Sequence, residues 1–159
     1  MRRRYKSEIA VGLCGALALG AAGSAWADDN PFVGRWHWNR AESKVPSSEA
    51  VPADMVADFT RVDTSHVKWS VTVTSPQGQN AVEKFDTPAN GEFYPINDDT
   101  TVAFRVNGLT LQGTFKGSAG QTDNLSCTVS ADRHKMTCSG EFTGSDGKTE
   151  PYLDVYDRK

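Results

Sequence analysis

Apolar residues recur at every second position along most of this chain, and the gaps between these stretches are rich in Gly, Pro, Asn, Asp and Ser. A β-strand sends successive side chains to opposite faces, so this period fits a sheet with one apolar and one polar face. A helix would bring its apolar stripe back every three or four residues, and no segment shows that spacing convincingly. Ala41 to Ala57, the one region with helical leanings, is cut by Pro46 and Pro52 and holds at most one or two turns. The expected class is all-β, with about eight to ten short antiparallel strands joined by tight turns.

Three hairpins can be registered from the sequence. In Val102 to Phe115, Asn107-Gly108 has the residues of a two-residue type I′ turn, which sets Val106 against Leu109, Phe104 against Leu111 and Val102 against Gly113 on one face. A slip of one residue would bring Phe104 opposite a polar side chain. In Asp123 to Phe142, opposing Cys127 to Cys138 also opposes Val129 to Met136 and Leu125 to Gly140, with the turn at Ala131-Asp132-Arg133-His134. Directly opposed residues in an antiparallel pair lie within disulfide reach. In the third, Phe59 faces Trp69 and Ala57 faces Val71 around a turn at Asp63-Thr64-Ser65, which leaves Arg61 on the apolar face near the rim. Further strands are read at Val33 to Asn39, Asn80 to Asp86 and Tyr152 to Tyr156. Sequential short connections describe an up-and-down meander, and a sheet of that many strands curls or closes, removing unpaired edges.

The N-terminus has a different character. Met1-Arg2-Arg3-Arg4-Tyr5-Lys6 carries four positive charges, Ile9 to Ala22 is an uncharged run of 14 residues, and Ala25-Trp26-Ala27 has the small-x-small pattern of a cleavage site. Crossing a bilayer takes roughly 20 residues, so the run reads as the apolar part of a secretory signal peptide and not as an anchor. Residues 1–27 are expected to be removed, leaving one domain from 28 to 159 in the periplasm or outside the cell. Leu13 is too bulky for a lipidation motif at Cys14, so that cysteine leaves with the signal. Cys127 and Cys138 remain, and an even count in an oxidising compartment favours a disulfide over two buried thiols. Cleavage removes four of the 17 basic and one of the 20 acidic residues, leaving 13 against 19, a net charge of −6. Nucleic acid and anionic lipid are poor partners for such a surface.

Several stretches resemble one family. Phe32-Val33-Gly34-Arg35-Trp36-His37-Trp38-Asn39-Arg40-Ala41-Glu42-Ser43-Lys44 is similar to the opening of small secreted bacterial lipocalin-like proteins. Gly34-x-Trp36 resembles the Gly-x-Trp start of lipocalins and fatty-acid-binding proteins. The likeness continues through Gly91-Glu92-Phe93-Tyr94-Pro95-Ile96, Asp99 to Ala103, Val129 to Thr137, Gly144 to Lys148 and Val155 to Arg158. Two departures are the Asp132-Arg133-His134 turn, where the family has Asp-Gly, and the two cysteines. The resemblance implies a lipocalin-like barrel with Trp36 packed at its closed base beneath an arginine, Arg158 or Arg61. Such barrels hold ligands, inhibit enzymes or fill their interiors, so fold alone does not fix function.

Inward positions supply the candidate ligand contacts: Trp36, Trp38, Phe59, Arg61, Trp69, Phe104, Leu111, Phe115 and Phe142. The histidines at 37, 66 and 134 have no metal-ligand spacing, and no metal or other cofactor is expected. There is no Gly-x-Ser-x-Gly elbow, phosphate loop or reactive cysteine, and carboxylates such as Asp98, Asp99 and Glu141 fall in turns or on outward faces. The leading expectation is a non-catalytic exported barrel enclosing a small hydrophobic or amphipathic molecule. The alternative is a protein-facing envelope module, an inhibitor or complex partner with a filled barrel and Lys44 to Ala53 at its contact surface. Interior volume separates the two, room of roughly 300 Å³ or more favouring the ligand. A catalytic reading would need polar groups converging in that interior.

Overall fold

A computed structural model describes residues 30–47 and 49–159. The expected signal peptide, with Cys14, lies outside the described residues. Ten strands form one antiparallel sheet: β1 (Gly34–Trp38), β2 (Asp54–Val62), β3 (His66–Thr74), β4 (Asn80–Pro88), β5 (Tyr94–Pro95), β6 (Thr100–Asn107), β7 (Thr110–Gly117), β8 (Thr122–Val129), β9 (Lys135–Thr143) and β10 (Thr149–Arg158). No helix occurs among the described residues. The sheet order is β4-β3-β2-β1-β10-β9-β8-β7-β6-β5, so β1 joins β10 and the one seam lies between β4 and β5. Side chains bridge the seam, where Phe85 of β4 meets Phe104 of β6 edge-on at 6.4 Å and Phe115 of β7 at 5.7 Å between ring centroids. The result is a nearly closed up-and-down barrel.

The β8–β9 register places Cys127 opposite Cys138, Val129 opposite Met136 and Leu125 opposite Gly140, as the alternation requires. The two cysteines form a disulfide with their Cα atoms 4.0 Å apart. Between β2 and β3, Phe59 faces Trp69 and Ala57 faces Val71. The β6–β7 hairpin differs from expectation: Val106 pairs with Leu111, Phe104 with Gly113 and Val102 with Phe115, two residues beyond the expected register. Its two-residue loop is Gly108-Leu109, with a positive φ of 58° at Gly108 alone. Glycine at the first central position suits a type II′ turn, whose twist also matches a hairpin. A shift of two keeps every side chain on its expected face, and only Leu109 loses its place, at 60% exposure.

Arg61 is a second correction. The β2–β3 ladder slips between Phe59 and Arg61, an irregularity that reverses the parity of the strand, so Val62 turns inward against Val67. Arg61 turns out to solvent and bonds Asp63 at 2.7 Å and Ser65 at 3.1 Å.

The base of the barrel is solid. Trp36 is fully buried, donates from Nε1 to the Phe32 carbonyl at 2.7 Å, and lies 4.2 Å beneath the Arg158 guanidinium. Arg158 also donates to the carbonyls of Val33 at 2.9 Å, Arg133 at 2.6 Å, and Pro31. One planar cation thereby ties the N-terminal turn, the β8–β9 turn and the final strand together, which a point-charge lysine cannot do.

Candidate functional site

Above that base the barrel encloses a cavity of about 470 Å³. Its first wall is a row of aromatic rings set by strand register. Phe59, Trp69 and Phe85 are directly opposed on β2, β3 and β4. Phe59 stacks on Trp69 at 4.9 Å and Trp69 on Phe85 at 4.4 Å, with Phe104 and Phe115 meeting edge-to-face at 5.8 Å around the seam. Such pairs contribute about 0.5 to 1.5 kcal/mol each beyond the area they bury. Trp69 keeps its indole Nε1 buried with no acceptor among the described residues.

The opposite wall is polar. Antiparallel pairing aligns Asp154 with Cys138 and Tyr152 with Gly140, which turns Tyr152, Asp154 and Tyr156 of β10 toward the cavity together with Asp123 of β8. A Cβ at residue 140 would stand 2.3 Å from the Tyr152 ring, so glycine is needed for the phenol to lie across β9. The Tyr152 hydroxyl donates to Asp123 at 2.7 Å and the Trp38 indole to Asp154 at 2.8 Å. Burial pushes the Asp123 carboxyl up to about 6, with Glu49 and Asp154 adding to the rise and the Tyr152 bond opposing it. Asp154 is raised by burial and by Glu49, against the Trp38 bond. Glu49 is raised by burial and by Glu150. Burial and the nearby carboxylates also hold the Tyr152 and Tyr156 phenols above their usual range.

After β1 the chain stays bonded to β10, with Asn39 and Lys44 donating to the carbonyls of Val155 and Leu153 at 2.7 Å each. That brings Val45, Pro46, Glu49, Ala50 and Pro52 to the cavity mouth. None of the described residues lining the cavity is Lys, Arg or His, and none is Ser or Thr. The two cysteines on its wall are bonded to each other.

Six of the expected contacts, Phe59, Trp69, Phe104, Leu111, Phe115 and Phe142, line this cavity. Trp36 and Trp38 do not; Trp36 is committed to the base, and Trp38 reaches the site only through its bond to Asp154. Arg61 is outside the barrel because of the slip after Phe59. His37 pairs with Asp54 at 3.1 Å and His66 with Asp86. Sequence reasoning missed Asp123, Tyr152, Asp154 and Tyr156. For Asp123 a signal existed, since it lies four residues before Cys127 and shares its face. A more open concavity of about 740 Å³ lies where Arg105, Gln112, Asn124 and Glu141 project from the outside of the sheet.

No protein-family description and no curated protein sequence matches this chain. Solved structures do. The fluorescent protein UnaG superposes with a TM-score of 0.53 at 16% identity, over 80% of this chain and 97% of its own. A fatty-acid-binding protein from Drosophila melanogaster brain gives 0.51 at 11% identity, over 79% and 98%. The protein mFAP2b, solved with DFHBI bound, gives 0.50 at 9% identity, over 82% and 95%. At these identities the likeness is one of fold, and the fold this chain shares with them is the calycin-like antiparallel β-barrel of the fatty-acid-binding proteins.

Proposed function

We propose that this chain is an exported, non-catalytic barrel that binds a small hydrophobic or amphipathic molecule in its interior. The observation that carries the reading is the cavity of about 470 Å³ between an aromatic wall and a polar wall, above a sealed base. Ligand sites have this character: concave, mostly apolar, with a few placed polar groups. A packed interior, which the protein-facing alternative needs, does not fit that volume. Withdrawing about 200 Å² of apolar ligand surface from water contributes about 5 kcal/mol at roughly 25 cal/mol/Å². Two of the solved structures with this fold, the fatty-acid-binding protein and the DFHBI complex, are by name ligand binders, which supports the same reading. Export rests on the sequence pattern of residues 1–27.

The convergence of Asp123, Tyr152 and Asp154 is the feature a catalytic reading would use. Both carboxyls already accept a bond from an aromatic donor, and among the described residues no hydroxyl of Ser or Thr, free thiol or imidazole lines the cavity for them to activate. Their arrangement suits recognition better than turnover.

Tryptophan emission tests the reading, because Trp69 is in the cavity wall while Trp36 and Trp38 are not. A neutral hydrophobic dye should change the emission and raise the melting temperature, and Trp69→Phe should abolish the emission change. A panel of fatty acids, isoprenoids and hydrophobic dyes that moves neither signal would overturn ligand binding.

A further inference from the structure

Resting on the ligand-binding reading, we propose that the cavity selects cationic amphiphiles, a protonated amine on an apolar or aromatic body, over fatty acids. The lining carries Glu49, Glu83, Asp123 and Asp154 and, among the described residues, no cationic side chain. No ion pair engages Glu49, Asp123 or Asp154 within the described chain. Glu49 and Glu83 are exposed, whereas Asp123 and Asp154 are partly buried, and a carboxylate ligand placed beside that pair would meet like charge where repulsion is stronger than in water. An ammonium there would supply the missing opposite charge.

A second observation points the same way. Tyr156 lies on the same wall, is only 7% exposed, and its hydroxyl makes no hydrogen bond among the described residues. The residue is buried but its hydroxyl oxygen is not sealed off, so it opens on the cavity, where a ligand's polar group can take the place of water. With its two lone pairs the hydroxyl can accept from an ammonium, as can the free lone pairs of Asp123 and Asp154. The opposite wall of rings suits the apolar body, and ring faces tolerate a cation where they would repel an anion.

The test uses three ligands of matched chain, decylamine, decanol and decanoate, titrated calorimetrically into the purified protein at pH 7.5 below their micelle concentrations. Decylamine should bind at least tenfold more tightly than the other two. Asp123→Asn and Asp154→Asn should each shrink that preference to less than threefold, and a wild-type circular-dichroism spectrum and a cooperative thermal transition in each variant show that the barrel is intact. Equal or tighter binding of decanoate, or a preference that survives in both variants, overturns the amine assignment and leaves ligand binding standing. Failure of all three molecules to bind overturns both.

Discussion

Asp123→Asn removes a charge from the cavity wall while keeping an oxygen to accept the Tyr152 hydroxyl. In the wild type, burial raises that carboxyl from 3.8 to about 6. A rise of that size corresponds to roughly 3 kcal/mol, because a tenfold change in proton affinity is worth about 1.4 kcal/mol. The raised value works against the fold. Between pH 4 and 6 the native protein still holds a proton that the unfolded chain has released, so stability falls as pH rises through that window and stays lowered above it. Asn at 123 carries no such cost. The variant should therefore be about 2 to 3 kcal/mol more stable than wild type at pH 8 and equal to it at pH 3.5, by urea denaturation followed at 222 nm. Exposed carboxyls held low by their bonds, such as Asp63 with Ser65 and Arg61, titrate alike in both proteins and cancel in the difference. A variant less stable than wild type at pH 8, or a difference indifferent to pH, would refute the argument that Asp123 is a desolvated carboxylate whose burial outweighs its bond from Tyr152.

Other parts of the structure make separate predictions. Gly140→Ala should displace Tyr152 from its place over β9, destabilise the protein by about 1 to 3 kcal/mol in thermal or chemical unfolding, and reduce decylamine affinity. Reducing Cys127–Cys138, which closes a short loop with a sequence separation of 11, should cost about 2 to 3 kcal/mol; equal unfolding midpoints with and without reductant would contradict this. Arg158→Lys should lower stability by about 1 to 3 kcal/mol, because an ammonium cannot reach three carbonyls and stack on Trp36 at once. Its ligand affinity should stay at the wild-type value, since the base is sealed off from the cavity.

Strand parity was legible wherever two alternations could be checked against each other. Opposing Cys127 to Cys138 and Phe59 to Trp69 fixed their hairpins, and the barrel followed from the number of such strands. Turn chemistry was less legible: Asn107-Gly108 satisfies one turn type and Gly108-Leu109 another, and both leave the same side chains inward. The Arg61 error came from the irregularity after Phe59, which nothing in the local pattern announces; Val62, close before the turn, is its only trace. The polar wall was hidden for a different reason. In Tyr152 to Tyr156 the aliphatic residues are Leu153 and Val155, so simple alternation favours them as the inward set, whereas pairing with Trp38 and Cys138 turns Tyr152, Asp154 and Tyr156 inward. A polar wall inside a barrel sets polar groups where the apolar rule forbids them, and sequence patterning is least informative there.

The pH midpoint of the Asp123 carboxyl, followed by its carbon-13 resonance, tests the central claim most directly. The empty protein should titrate this group near pH 6, and saturation with decylamine should move the midpoint downward as the ammonium stabilises the charged form. A midpoint at the ordinary 3.8, unmoved by the amine, would show that Asp123 faces water and that the polar wall of the cavity does not bind through it.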